Sequence, residues 1–286
     1  GRLGRYYLYF SDHKGSYIRL AYAQSVRGPW TMHEPGALDI ADSLFDAEDP
    51  PEPPVDERPE WAAHMKGGYL YAHIASPDVH IDATNQRINM YYHGLLPNGD
   101  QLTRFAHSED GINFTAHEPL LGPPYFRAFE RQDRIYTLTW GGQLWRADRW
   151  QGPFEPGPSL VHYDSKGGIG EGFRHGEVFT RSNTLFILYC RMGDRPERIL
   201  YVSVDMSPVD WNDWRADGPY ELLAPQETWE GADLPLETST MGAERHRVRE
   251  LRDPCVFEDA DGAVYMLYCG AGESAIGLAT LDVGDG

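Results

Sequence analysis

Residues Tyr71–Phe114 read YAHIASPDVHIDATNQRINMYYHGLLPNGDQLTRFAHSEDGINF, and three strands in a row account for them. His73–Asp82 alternates polar and apolar side chains, with Pro77 near its middle. DATNQ turns the chain into Arg87–Gly94 (RINMYYHG), where aromatic and β-branched residues dominate. LLPNGD carries the Asn-Gly signal of a hairpin, Leu102–His107 is a third strand, and SEDGINF ends the unit on an anchoring aromatic. A four-stranded propeller blade has this grammar.

The same grammar recurs along the chain. Arg5–Phe10 (RYYLYF), Tyr17–Ala23 (YIRLAYA) and QSVRGPW form one unit, whose first strand is expected upstream, so the chain reads as starting inside blade 1. Between Gly122 and Asp148, PPYFRAFER, RIYTLTW and QLWRADR are strands closed by RWQGPF. Arg174–Trp214 supplies RHGEVFTR, TLFILYCR, RILYVSVD and MSPVDWNDW, and Leu251–Leu281 supplies LRDPCVFED, GAVYMLYCG and AIGLATL. The expected fold is therefore all-β, a single five-bladed β-propeller with blades near 1–34, 69–118, 122–158, 173–222 and 250–286. Inserted loops are expected at 35–68 and 215–250, and no long stretch carries a 3.6-residue apolar stripe.

Composition agrees with this class. A hydrophobic content of 41% suffices for a core, 17 Tyr and 8 Trp suit strands, and 30 Gly with 21 Pro punctuate turns in a chain of 286 residues. A formal net charge of −19 makes a nucleic-acid backbone or an anionic membrane a poor partner and leaves neutral sugars or cations open. Cys190, Cys255 and Cys269 show no CxxC or zinc spacing, and buried thiols are the plain reading of ILYC and MLYC. Asp42–Trp61, rich in acids and prolines, cannot pack a core and reads as a surface loop, with a cation site or a lid as the functional alternative. No cofactor is called for, and a structural Ca2+ is not indicated.

In a propeller the first strand of each blade lines the central channel, so chemistry should collect on those strands. They carry Ser76-Pro77-Asp78-Val79-His80, Tyr125-Phe126-Arg127, Arg174-His175-Gly176-Glu177 and Arg252-Asp253-Pro254, while turns beside them add His13, Lys14, His93, Arg191, Asp194 and Glu273. Arginines, histidines and carboxylates flanked by aromatics are what a carbohydrate pocket needs: charged groups grip hydroxyls or a uronate, and ring faces take the apolar side of a sugar. The expected partner is thus an oligosaccharide, gripped by His13, Lys14, His80, His93, Arg127, Arg174, His175, Arg252 and Glu273.

ASPDVHID…INMYYHG resembles a stretch of the family-43 glycoside hydrolases and their five-bladed relatives, and Arg252-Asp253-Pro254 is similar to the RDP segment of the wider furanosidase superfamily. The resemblance implies hydrolysis of plant or algal wall oligosaccharides at a terminal sugar. It matches Asp78 to the acid that orients and tunes the general acid, and makes Glu177 the nearest candidate for that general acid, with Glu171 in the loop before it. Asp253 joins them as a candidate catalytic acid, and the family's general base belongs to a strand expected upstream of this chain. Inverting hydrolysis needs two carboxyls far enough apart to admit a water, one protonated and one ionised.

Other readings stand beside this one. Where the family uses carboxylates, His80, His175, Arg127 and Arg174 would also suit a lyase that abstracts the proton α to a uronate. A propeller that kept the pocket and lost its base would bind sugar without cleaving it. Asp78 after a proline also suits a turn acceptor, Asp253 a structural pair with Arg252, and the histidines plain hydrogen-bond caps. A metal held by His73, Asp78 and His80 is disfavoured, because alternation puts odd-numbered His73 on the opposite face.

Overall fold

A computed structural model describes residues 2–13, 15–58, 69–160, 172–242, 244 and 246–283. Five antiparallel sheets follow one another in chain order, each a simple meander, and they are the blades of an all-β, five-bladed β-propeller. Two compact units contain them, Gly1–Phe126 and Arg127–Gly286.

The first unit holds two sheets. One is built from β1 (Tyr6–Phe10), β2 (Tyr17–Ala23) and β3 (Thr31–Asp39), the other from β4 (Ile74–Asp82), β5 (Arg87–Leu95), β6 (Gln101–Ser108) and the short β7 (Thr115–Ala116). Their core gathers Ile18, Leu20, Ile74, Met90, Tyr92 and Phe114. The aromatic-rich β5 is buried almost throughout, which is why its sequence reads as a strand without strict alternation.

The second unit holds three. β8 (Arg127–Arg131), β9 (Arg134–Leu138), β10 (Gln143–Ala147) and β11 (Glu155–Ser159) form one sheet. β12 (Phe173–Arg181), β13 (Thr184–Arg191), β14 (Ile199–Asp205) and β15 (Arg215–Leu223) form the next, and β16 (Leu251–Glu258), β17 (Val264–Gly270) and β18 (Ala275–Leu281) the last. β17 alternates buried and half-buried positions residue by residue, the two-residue period of a strand with one face on the core.

The outer strands depart from the sequence expectation. β3, β7, β11 and β15 each begin on the residue after an aromatic that was expected only to close a turn: Trp30, Phe114, Phe154 and Trp214. The loops expected at 35–68 and 215–250 therefore give up Asp39 and its predecessors to β3 and Arg215–Leu223 to β15. These strands are rich in Gly and Pro (TMHEPGALD, EPGPS, RADGPYELL). An outer edge tolerates that composition because one side of its backbone has no ladder to serve.

Glycines seat aromatic rings against the sheets. A Cβ built on Gly94 would lie 2.5 Å from the Phe45 ring, one on Gly157 would lie 2.3 Å from Trp211, and one on Gly277 would lie 2.1 Å from Trp229. Trp211 is buried, with the Arg146 guanidinium 4.1 Å above its ring. Gly157→Ala is therefore expected to destabilise the protein by roughly 1–3 kcal/mol, as overpacking does. A urea midpoint unchanged from wild type would contradict that seat.

The acidic loop is anchored where it is described. Asp49 and Glu52 accept the backbone N–H groups of Ala72 and Leu70 at 2.8 Å each, and Arg58 pairs with Glu52 at 3.4 Å. Its carboxylates thus tie the loop to the segment entering β4.

Candidate functional site

The first strands of three sheets share an irregularity. On β4 the ladder passes from Ala75↔His93 to Asp78↔Tyr91, so three steps on one strand match two on the other. β12 does the same between Phe173↔Arg191 and Gly176↔Tyr189, and β16 between Arg252↔Cys269 and Cys255↔Leu267. Each is a β-bulge, a device that leaves residues out of the ladder and re-aims their side chains. Ser76 and Asp253, both immediately before a proline, adopt φ of 52° and 51°, a region non-glycine residues rarely occupy. Tyr125, two residues ahead of Arg127 on β8, has φ 63°.

The bulge corrects the argument about His73. His93 and Tyr91 lie two apart on β5 and share a face, so their partners Ala75 and Asp78, three apart, share one as well. Odd and even numbering therefore changes sides at Ser76-Pro77, and parity does not separate His73 from Asp78.

In the first unit Asp78 is buried, with Oδ2 2.8 Å from His80 Nε2. His93 is buried too, and its ring lies between those of His73 and Tyr125, at centroid distances of 5.7 and 4.5 Å. Burial holds His73 below the usual imidazole range, with the charge of nearby His13 acting in the same direction against the bond to Tyr71 O. His13 is thus near enough to His73 for its charge to act there. Lys14 lies outside the described residues.

In the second unit, Arg127 Nε donates to Gly176 O at 3.1 Å and stands 3.9 Å from Glu177, whose Oε1 accepts the Val178 N–H at 2.9 Å. His175 Nδ1 lies 2.7 Å from Asp253 Oδ1. The Asp253 side chain is 39% exposed and that of His175 11%, so the pair has an open, acidic end. Burial pushes the Asp253 carboxyl up, but the charge and hydrogen bond of His175, then Arg252 and Arg174, outweigh it and hold it well below the usual carboxylate range. Cys190 and Cys269 flank this pair, and burial raises both thiols.

A stability consequence follows. A carboxyl whose folded pKa is depressed contributes stability above its unfolded value, near 4, and loses it as pH falls toward the folded value. Asp253→Asn should therefore lower the melting temperature at pH 7, and the deficit should shrink steadily as the pH falls below about 4. A deficit independent of pH would mean that the His175 pair does not hold the charge.

Arg174 and Arg252, expected to grip substrate, are directed inward. Arg252 is wholly buried; it donates to Glu250 through Nε at 2.9 Å and to Glu273 through Nη1 at 2.9 Å. Arg174 donates to Glu197 Oε2 at 2.9 Å and to Thr240 O at 3.0 Å, and also bonds Gly242 O. Glu273 accordingly serves as a partner to Arg252. Glu171 lies outside the described residues. Glu197 and Glu250 were not singled out from the sequence. Glu197 follows a proline among charged residues in DRPERIL, yet it is fully buried.

No family model matches this sequence. The chain is 34% identical over 297 residues to an uncharacterized protein of Acanthamoeba polyphaga mimivirus, an alignment covering 98% of this chain and 77% of the viral one. The chain belongs to the family of that viral protein. Its fold is also that of family-43 glycoside hydrolases. A thermostable family-43 enzyme superposes with a TM-score of 0.60 at 14% identity, covering 100% of this chain and 88% of that one. A family-43 β-xylosidase/α-arabinofuranosidase from a compost metagenome, crystallised with xylotriose, gives 0.59 at 13% identity and covers 96% and 82%. An exo-β-1,3-galactanase of Phanerochaete chrysosporium with β-1,3-galactotriose gives 0.57 at 11%, covering 96% and 57%. At these identities the likeness is one of fold.

Proposed function

We propose that the chain is a glycoside hydrolase that releases a terminal sugar from oligosaccharides of plant or algal walls. One observation carries this reading: three bulged first strands each present a carboxylate beside a basic group. The pairs are Asp78–His80 at 2.8 Å, Glu177–Arg127 at 3.9 Å and Asp253–His175 at 2.7 Å. Asp253 is itself freed from its ladder at a strained backbone position, where working groups collect, while Asp78 and Glu177 are paired residues just past their bulges. The neighbours crystallised with xylotriose and galactotriose support a sugar as the substrate class.

Asp253, kept ionised and partly open, suits the acceptor role: it takes a hydrogen bond from a sugar hydroxyl or from an attacking water. Glu177 is the carboxyl assigned to give its proton to the departing glycosidic oxygen. Asp78, fixed by His80, is assigned to substrate orientation. The lyase alternative needs Arg127 or Arg174 open to a uronate carboxylate, whereas Arg174 is buried and bonded to Glu197, and Arg127 donates to Gly176 O beside Glu177. Glu177 favours a second reading, a propeller that grips sugar without cleaving it, because its carboxyl accepts the Val178 N–H beside Arg127, the contacts of an acceptor rather than a donor.

The test is product analysis on a panel of wall oligosaccharides beside an Asp78→Asn control. Hydrolysis gives fragments that together gain one water, and the control should lose roughly 10²-fold or more in rate, as misplaced substrates do. Cleavage to an unsaturated end would replace this reading with the lyase. Binding without any cleavage would replace it with the sugar-gripping propeller.

A further inference from the structure

The bulges raise a mechanical question: what holds His175 and Asp253 where the ladder leaves them out? On β12 the pairing skips from Phe173 to Gly176, and on β16 from Arg252 to Cys255. The residue before each is an arginine, and one buried carboxylate lies against both. Glu197 Oε2 accepts from Arg174 Nη1 at 2.9 Å and lies 3.5 Å from Arg252 Nε. Glu197 also accepts the Leu251 N–H on its backbone carbonyl at 3.1 Å, fixing the start of β16. The two guanidiniums further share the Gly242 carbonyl.

Among the described residues Glu197 Oε1 has no hydrogen-bond partner, and the residue has no exposed surface. Burial lifts the Glu197 carboxyl above its ordinary range despite Arg174, Arg252 and the charge of His175, with Glu250 adding to the rise. Burying the carboxylate is costly, and the two arginines against it offset that cost.

We propose that Glu197 is a positioning residue for the His175–Asp253 pair, its carboxylate fixing the two arginines whose next residues in the chain are His175 and Asp253. Where the strand ladder lets go, a buried ion network sets the geometry. The groups facing the pair are Arg174 and Arg252, Glu197, Cys190 on β13, Cys269 on β17, and Glu273 beyond it. Removing the Glu197 charge therefore acts on His175 in two ways. It deletes an anion that favours the imidazolium, and it frees the arginines that aim the pair.

The significance for turnover rests on the glycosidase reading, but the test does not. The experiment follows the His175 ring protons by NMR as a function of pH in wild type and Glu197→Gln, with the signal assigned by its loss in His175→Gln. Glu197→Gln should move the His175 midpoint down by roughly one pH unit, the effect of losing a near opposite charge. An unmoved midpoint and an unchanged chemical shift would overturn the proposal. With a cleavable substrate in hand, kcat should also fall roughly 10- to 100-fold while KM stays within about threefold, the pattern of misaligned groups. A purely structural role would instead lower the folded fraction and leave both the midpoint and the kcat of the folded protein alone. Should Glu197→Gln fail to fold, Arg174→Lys is read in its place. It keeps the charge but loses the fork that reaches Glu197 and two carbonyls, so the midpoint should again fall, and an unmoved one overturns the proposal. A shifted midpoint in a protein that cleaves nothing would sink the glycosidase reading and leave the positioning role standing.

Discussion

Glu177→Gln should cut turnover of a natural oligosaccharide by roughly 10²- to 10⁴-fold, the usual contribution of a general acid. The same variant should retain most of its activity on an aryl glycoside. A phenolate leaves without a proton from the enzyme, so losing the donor costs little there. The contrast separates roles that a single rate cannot. If Glu177 merely anchors Arg127, 3.9 Å away, both substrates should suffer alike. Equal losses on the two would therefore withdraw the donor role from Glu177. A variant retaining full activity on both would remove it from the site.

The largest stability effect is expected at Arg252. Arg252→Met deletes the guanidinium that bonds Glu250 and Glu273 at 2.9 Å each and lies 3.5 Å from Glu197. Breaking one side of a buried pair typically costs about 3–5 kcal/mol, because the remaining charge has neither water nor partner. For a chain of this size that corresponds to roughly 10 °C in melting temperature. The pH dependence fixes the cause. Without Arg252 the folded state holds its carboxyls above their unfolded pKa, so it binds protons that the unfolded chain has released. Its deficit should then be largest near pH 8 and should diminish toward pH 5 as those carboxyls protonate. A small loss, or one indifferent to pH, would mean that the network does not support the two sheets.

What could be read from the sequence followed burial and composition. RINMYYHG, TLFILYCR and VYMLYCG were legible as strands because aromatic and β-branched or other apolar residues dominate them, as suits the middle of a sheet. The edge strands EPGPS and RADGPYELL were hidden because an edge imposes no such composition. Asp78, Glu177 and Asp253 were legible as carboxylates on the expected first strands. The bulges were half legible: Pro77 and Pro254 mark two of them, while Arg174-His175 carries no such sign. Because one extra residue reverses every later side chain, the parity argument about His73 failed at Ser76-Pro77. Glu197 was illegible for a different reason. Its burial is decided by Arg174, 23 residues away, and by Arg252 on another sheet, and no local pattern records a contact of that range. The inward turn of the two arginines was lost with it.

Hydrolysis of a glycosidic bond at the bulged first strands is what we propose. The measurement that tests it most directly is cleavage of a wall oligosaccharide in ¹⁸O-labelled water, with the products weighed by mass spectrometry. Incorporation of one labelled oxygen at the new sugar end, absent in Glu177→Gln and Asp253→Asn, is the expected result. Unlabelled products with an unsaturated terminus, or sugar bound and recovered intact, would contradict it.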